Sequence, residues 1–182
     1  YYYGLWGVHY ATKIGGTWTL EIVDNGDDAC PSLFVDSGGI PHLSWIHIHY
    51  SPSAAQAGYG VRVGGTWIKE TITGLLGGDV GGVARQLCVD HAGVPHIVRS
   101  IQVATGHELW YGNKTGGSWS FSLIKDSSTD NADPQIFLNQ LGVPMVAWES
   151  NAAGNFDIFL AMQQRENWNV IQVSDNSINE YE

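Results

Sequence analysis

The sequence predicts an all-β fold, and three observations carry that prediction. The phrase Gly15-Gly16-Thr17-Trp18 returns as Gly64-Gly65-Thr66-Trp67 and Gly116-Gly117-Ser118-Trp119, and more weakly as Glu166-Asn167-Trp168, with the tryptophans 49, 52 and 49 residues apart. A second phrase recurs out of phase with it: Gly39-Ile40-Pro41-His42, Gly93-Val94-Pro95-His96 and Gly142-Val143-Pro144-Met145. No segment sustains a helical apolar period. A period near 50 residues made of four short β-rich runs describes the four-stranded antiparallel blade of a β-propeller, stacked in an array in which neighbours cover one another's faces.

The strands follow from the turn residues that bound them. The chain opens partway through a unit (1–28), with 5–13 and 17–24 as its third and fourth strands. The first whole blade (29–79) takes strands at 32–36, 41–50, 58–63 and 66–73. The second (80–130) takes 86–90, 95–100, 108–114 and 118–124, with Pro95 at a strand's first position, where its missing N–H is tolerated. The third (131–182) takes 134–139, 144–149, 156–163 and 168–174. Leu43, Trp45, Ile46 and Ile48 share one strand, which is therefore apolar on both faces, as a strand covered by blades on both sides must be. Three blades and the outer half of another cannot close a ring of about 4–8 blades. The expectation is a segment of a larger ring, its remaining blades supplied by a longer chain or, less simply, by another copy.

Composition narrows the function. The 182 residues carry 18 acidic against 8 basic side chains, a net charge of −10. Such a surface repels phosphate backbones and argues against nucleic acid as a partner. With 43% apolar residues and eight Trp the chain can bury a real core, and no apolar run reaches the ~18–20 residues of a membrane span. Few lysines beside abundant Gly, Ser, Asn and Trp suit a secreted or cell-surface bacterial protein. Cys88 aligns with Phe34 and reads as a small core residue, whereas Cys30 aligns with Ala84, so nothing in the repeat supports a disulfide between them.

The stretch Tyr10-Ala11-Thr12-Lys13-Ile14-Gly15-Gly16-Thr17-Trp18 resembles the Asp-box, Ser-x-Asp-x-Gly-x-Thr-Trp, of sialidase-like (BNR-like) propellers. Gly15, Thr17 and Trp18 match it, as do Gly64, Thr66, Trp67 and Gly116, Ser118, Trp119; its Ser and Asp are replaced by Ala11 and Lys13, Gly60 and Arg62, Gly112 and Lys114. The resemblance implies a degenerate Asp-box propeller in which that turn is structural and lies away from the ligand side. Sialidase chemistry would need an arginine triad, a Tyr nucleophile with a Glu partner and an acid/base Asp. The chain has four arginines, with Arg62 and Arg165 at or near the Asp-box turns. Arg99 stands where sister repeats hold Trp45 and Trp148, which makes it either an anion-binding residue or an interblade arginine paired with a carboxylate.

His47 and His49 lie at i and i+2 with Tyr50 next, so they offer a shared cation site or a base beside a Tyr, resembling polysaccharide lyases on propeller scaffolds. The plainer alternative is two polar residues at a strand end, with no third metal ligand visible. The turns at Asp24–Asp28, Asp126–Asp133 and Ser174–Asn176 offer oxygen ligands for Ca2+, although none has the spaced Asp register, and Asp, Asn and Gly also make turns for conformational reasons. No other cofactor is implied. Tyr10, Tyr59 and Tyr111, with Leu160 fourth, read as packing between blades, as do Trp18, Trp67, Trp119 and Trp168. His42 and His96 recur as structural residues.

Trp45 and Trp148 are the candidates for sugar stacking, because the resemblance places their strand ends near the ligand side. That side is expected to collect Asp24, Asp27, Trp45, His47, His49, Tyr50, Arg99, His107, Glu108, Trp148 and Glu149. These residues do not complete a catalytic set. The expectation is a non-catalytic secreted or cell-surface propeller that binds carbohydrate or another surface ligand, or acts as a scaffold. The alternative is a portion of a polysaccharide lyase or glycosidase.

Overall fold

The computed structural model describes residues 7–47, 56–76, 86–152 and 154–175. Fourteen strands run in order: β1 Val8–Ile14, β2 Thr17–Asp24, β3 Asp28–Val35, β4 Pro41–His47, β5 Gln56–Val63, β6 Thr66–Leu76, β7 Leu87–Val89, β8 Pro95–Val103, β9 Gly106–Thr115, β10 Ser118–Lys125, β11 Asn131–Leu138, β12 Pro144–Ser150, β13 Asp157–Gln164 and β14 Asn167–Gln172. They form a two-stranded sheet, β1-β2, and three four-stranded antiparallel meanders, β3 to β6, β7 to β10 and β11 to β14. These are three propeller blades and the outer half of another, not closed into a ring. Among the described residues no helix is long and apolar enough to cross a membrane.

The Gly-Gly turns are explained by backbone sterics. Gly15 and Gly16, Gly64 and Gly65, Gly116 and Gly117 all have positive φ, as a two-residue hairpin turn matched to strand twist requires. In the fourth unit Arg165 adopts φ 57° without a glycine. The second phrase is an Asx turn: Asp36 Oδ1 accepts the N–H groups of Gly38 (2.9 Å) and Ile40 (2.8 Å). Asp90 and Asn139 repeat that pair of bonds in the next two blades.

The core is three layers between stacked sheets. Val8, Val23, Leu43 and Trp45 fill the first; Tyr59, Ile72, Leu87 and Ile97 the second; Val98, Leu109, Tyr111, Ile136 and Trp148 the third. Strand β4 is therefore buried on both faces, whereas β12 alternates and Trp18, Leu20 and Ile22 of the outer half-blade stand exposed. A His–Tyr pair anchors each of two blades, His42 Nδ1 to Tyr59 Oη and His96 Nδ1 to Tyr111 Oη, both 2.6 Å and buried. In the third blade both members change together, to Met145 and Leu160. Cys88 lies in the third layer, where burial pushes its thiol up to about 12, and no disulfide joins it to Cys30.

The outer strands are tied by one recurring contact. Trp67 Nε1 donates to Glu21 (3.2 Å), Trp119 Nε1 to Glu70 (2.9 Å) and Trp168 Nε1 to Ser122 (3.2 Å), each acceptor three residues past the tryptophan that follows the preceding unit's hairpin turn. Arg62 and Lys114, on the strands that lead into the Gly-Gly turns, pair with the same Glu21 and Glu70. This contact lines the Gly-Gly turns along one side of the stack. Glu70→Ala should cost about 1–2 kcal/mol, because Lys114 and the Trp119 indole lose one shared, half-exposed acceptor. A urea midpoint equal to wild type would contradict that assignment.

Candidate functional site

The loops opposite the Gly-Gly turns hold the candidate residues, and a β-bulge decides what meets there. Within β3 and β4 the ladder pairs Leu33 with Leu43 and Ser32 with Ser44, but beyond a register shift Ala29 pairs with Ile46 and Asp28 with His47. Cys30, at φ 52° and followed by Pro31, is the residue accommodated by the shift. An unshifted ladder would have set Asp28 opposite position 48. The same shift recurs around Asp133 and Pro134, bringing Asn131 opposite Ser150.

At the first junction His47 Nδ1 lies 2.6 Å from Asp28 Oδ1, and His47 Nε2 lies 3.9 Å from Asp24 Oδ2. Asp24 Oδ1 also accepts the Asn25 N–H (2.9 Å) and Lys69 Nζ (3.4 Å). Burial raises the Asp28 carboxyl above the usual carboxylate range, against the pull of the neighbouring His47. Asp27 is half-buried in the same turn. At the third junction His107 Nδ1 bonds Asp130 Oδ1, and Asn131 Nδ2 donates to the carbonyls of His107, Asp126 and Thr129. Between them, half-buried Glu108 accepts Trp110 Nε1 at 2.9 Å. Glu149 is half-buried in β12, opposite Ala132 and Ile158.

Two expectations need correction. Trp45 and Trp148 do not offer a ring to a ligand: they are 1% and 2% exposed. Trp45 lies so close over Gly58 that a Cβ there would fall 2.3 Å from the indole, while Trp148 stacks on Phe159 and donates to Asn131 Oδ1 at 3.1 Å. Strand β4 is covered on both faces and β12 on the face that Trp148 shares with Val146, so these large side chains pack rather than protrude. Arg99 is likewise 3% exposed, donating to the Trp45 carbonyl at 3.3 Å, with Nε and Nη1 unbonded and burial lowering its pKa to about 10. It is not a surface anion clamp, and among the described residues no carboxylate pairs with it. His49 and Tyr50 lie outside the described residues.

The arrangement thus gathers Asp24, Asp28 and His47 at one junction, His107 and Asp130 at another, and Glu108 with Trp110 between. Trp110 was missed by sequence reasoning, while Asp28 and Asp130 were read only as members of the acidic turns and not as partners of His47 and His107. A cavity of about 330 Å³ lined by Phe34, Leu87, Cys88, Ile136 and Leu138 opens beside the Asx turns, on the other side of the stack.

Comparison with known proteins supports the architecture. No family model matches the chain, and no curated protein matches it. Among solved structures it is similar to a protein of unknown function from Dyadobacter fermentans, with TM-score 0.63 and 11% identity over 87% of this chain and 55% of that one. It is similar to a fucose lectin from Kordia zhangzhouensis in complex with methyl-fucoside, with TM-score 0.53 and 14% identity over 82% of this chain and 99% of the lectin. A third is an alpha-L-arabinofuranosidase from Fusarium graminearum, with TM-score 0.55 and 14% identity over 89% of this chain and 56% of the enzyme. The chain therefore spans about half the length of two of these proteins and nearly all of the lectin. At these identities the likeness is one of fold.

Proposed function

We propose that this chain is a non-catalytic, secreted or cell-surface propeller segment that binds carbohydrate on its loop side. The observation that carries the reading is the Glu108–Trp110 couple, whose carboxylate accepts the indole N–H at 2.9 Å on one face of β9, with the His107–Asp130 pair on the other face of the same strand end. Carboxylates and imidazoles suit sugar hydroxyls, and a half-buried indole offers its remaining surface to sugar C–H groups. Trp67, Trp119 and Trp168 are also half-buried but belong beside the Gly-Gly turns, whereas Trp110 stands four residues past the loop-side Gly106. The fucose lectin among the similar structures adds support for a sugar ligand. A portion of a lyase or glycosidase is the second reading, favoured by the Asp28–His47 pair, in which a carboxylate orients an imidazole as it would a general base.

A glycan array followed by calorimetry tests this. The expected result is binding of a saccharide without cleavage, weakened at least about tenfold in Glu108→Gln and Trp110→Ala proteins of unchanged circular dichroism. Cleavage of the bound saccharide would favour the enzymatic reading, and an array without hits would leave the scaffold role.

A further inference from the structure

We propose that Asp24, Asp28 and His47 form a binding site for one first-row divalent cation, with Zn2+ the best match to the ligands. The three residues come from separate elements, the end of β2, the start of β3 and the end of β4, yet one ligand atom from each lies within 4.8 Å of the others. Imidazole nitrogen with carboxylate oxygen is a ligand set that Zn2+ accepts and that Ca2+, preferring oxygen alone, does not favour. His47 and Asp24 keep 19% and 23% side-chain exposure, which leaves a way in for the ion and for a water ligand.

A second observation points to a ligand independently. The Asp28 side chain is completely enclosed, and among the described residues its Oδ2 accepts no hydrogen bond. A buried carboxylate oxygen without a donor is costly, and a bound cation removes that cost. The repeat sharpens the point. The third blade fills the equivalent place with Asn131, a neutral side chain whose amide is fully used by three turn carbonyls and the Trp148 indole. The same bulged backbone thus has a self-satisfied solution, and the first blade carries instead an acid with one oxygen bonded to a histidine and the other unpartnered among the described residues, facing a second acid. Two carboxylates and a neutral imidazole balance a divalent charge, with Lys69 engaged only at Asp24 Oδ1.

The site stands apart from the carbohydrate reading and is tested on the chelator-stripped full chain by titration with Zn2+ alone, read by calorimetry and elemental analysis. Expected are one zinc per chain, a zinc-dependent rise in Tm, and at least about tenfold weaker binding in Asp28→Asn, which copies the third blade's residue, and in His47→Gln. If Asp28→Asn fails to fold, His47→Gln and the wild-type stoichiometry decide. Absence of stoichiometric uptake by wild type, equal uptake by both variants, or Ca2+ binding more tightly than Zn2+ would each overturn the proposal.

Discussion

Trp148→Ala is expected to lower unfolding free energy by about 3–5 kcal/mol, and Trp45→Ala by a similar amount. Both indoles are essentially excluded from solvent and sit in the layers between blades. Removing Trp148 also takes the donor from Asn131 Oδ1, which orders the turn before β11. Removing Trp45 empties the space over Gly58, which has no side chain to fill it. Denaturant midpoints of the two variants check this. A loss below about 1 kcal/mol with the fold intact would mean that these rings are free to leave the core, restoring their candidacy as ligand platforms.

Arg99→Met is expected to act in the opposite direction. The Arg99 guanidinium is buried and, among the described residues, makes one hydrogen bond, to a carbonyl, with no carboxylate beside it, and burial lowers its pKa. Replacing such a group with an apolar side chain of similar length should stabilise by about 1–4 kcal/mol, or about 2–4 °C of Tm per kcal/mol for a chain of this size. A destabilisation of the same size would reveal an anionic partner for Arg99. An anion that raises the Tm of wild type but not of the variant would identify it.

The blade pattern was legible because turn sterics write themselves into sequence. Positive φ at both turn positions explains Gly-Gly in three of the four hairpin turns, with Arg165 at φ 57° in the fourth, and the Asx turns need Asp or Asn at fixed distance from the prolines. The His–Tyr anchors were legible as repetition, although their bond was not. The site was less readable for two physical reasons. Strand β4 is covered on both faces, so alternation gives no clue to where Trp45 points, and the alternation of β12 tells only that Trp148 shares a face with Val146. Asp28 meets His47 only through the shift at Cys30, a conformation of a non-glycine residue that no local motif announces. The signal available was the repeat itself, since Pro31 and Pro134 mark equivalent places.

The most direct test of the central claim is to map the amide shifts that a bound saccharide produces in the isotopically labelled chain. The account predicts perturbations clustered at His107, Glu108, Trp110 and Asp130, with Gly64, Gly65, Gly116 and Gly117 unmoved. Shifts concentrated at those glycines, or at the Asx turns around Asp36 and Asp90, would place the ligand on the other side of the stack and contradict it.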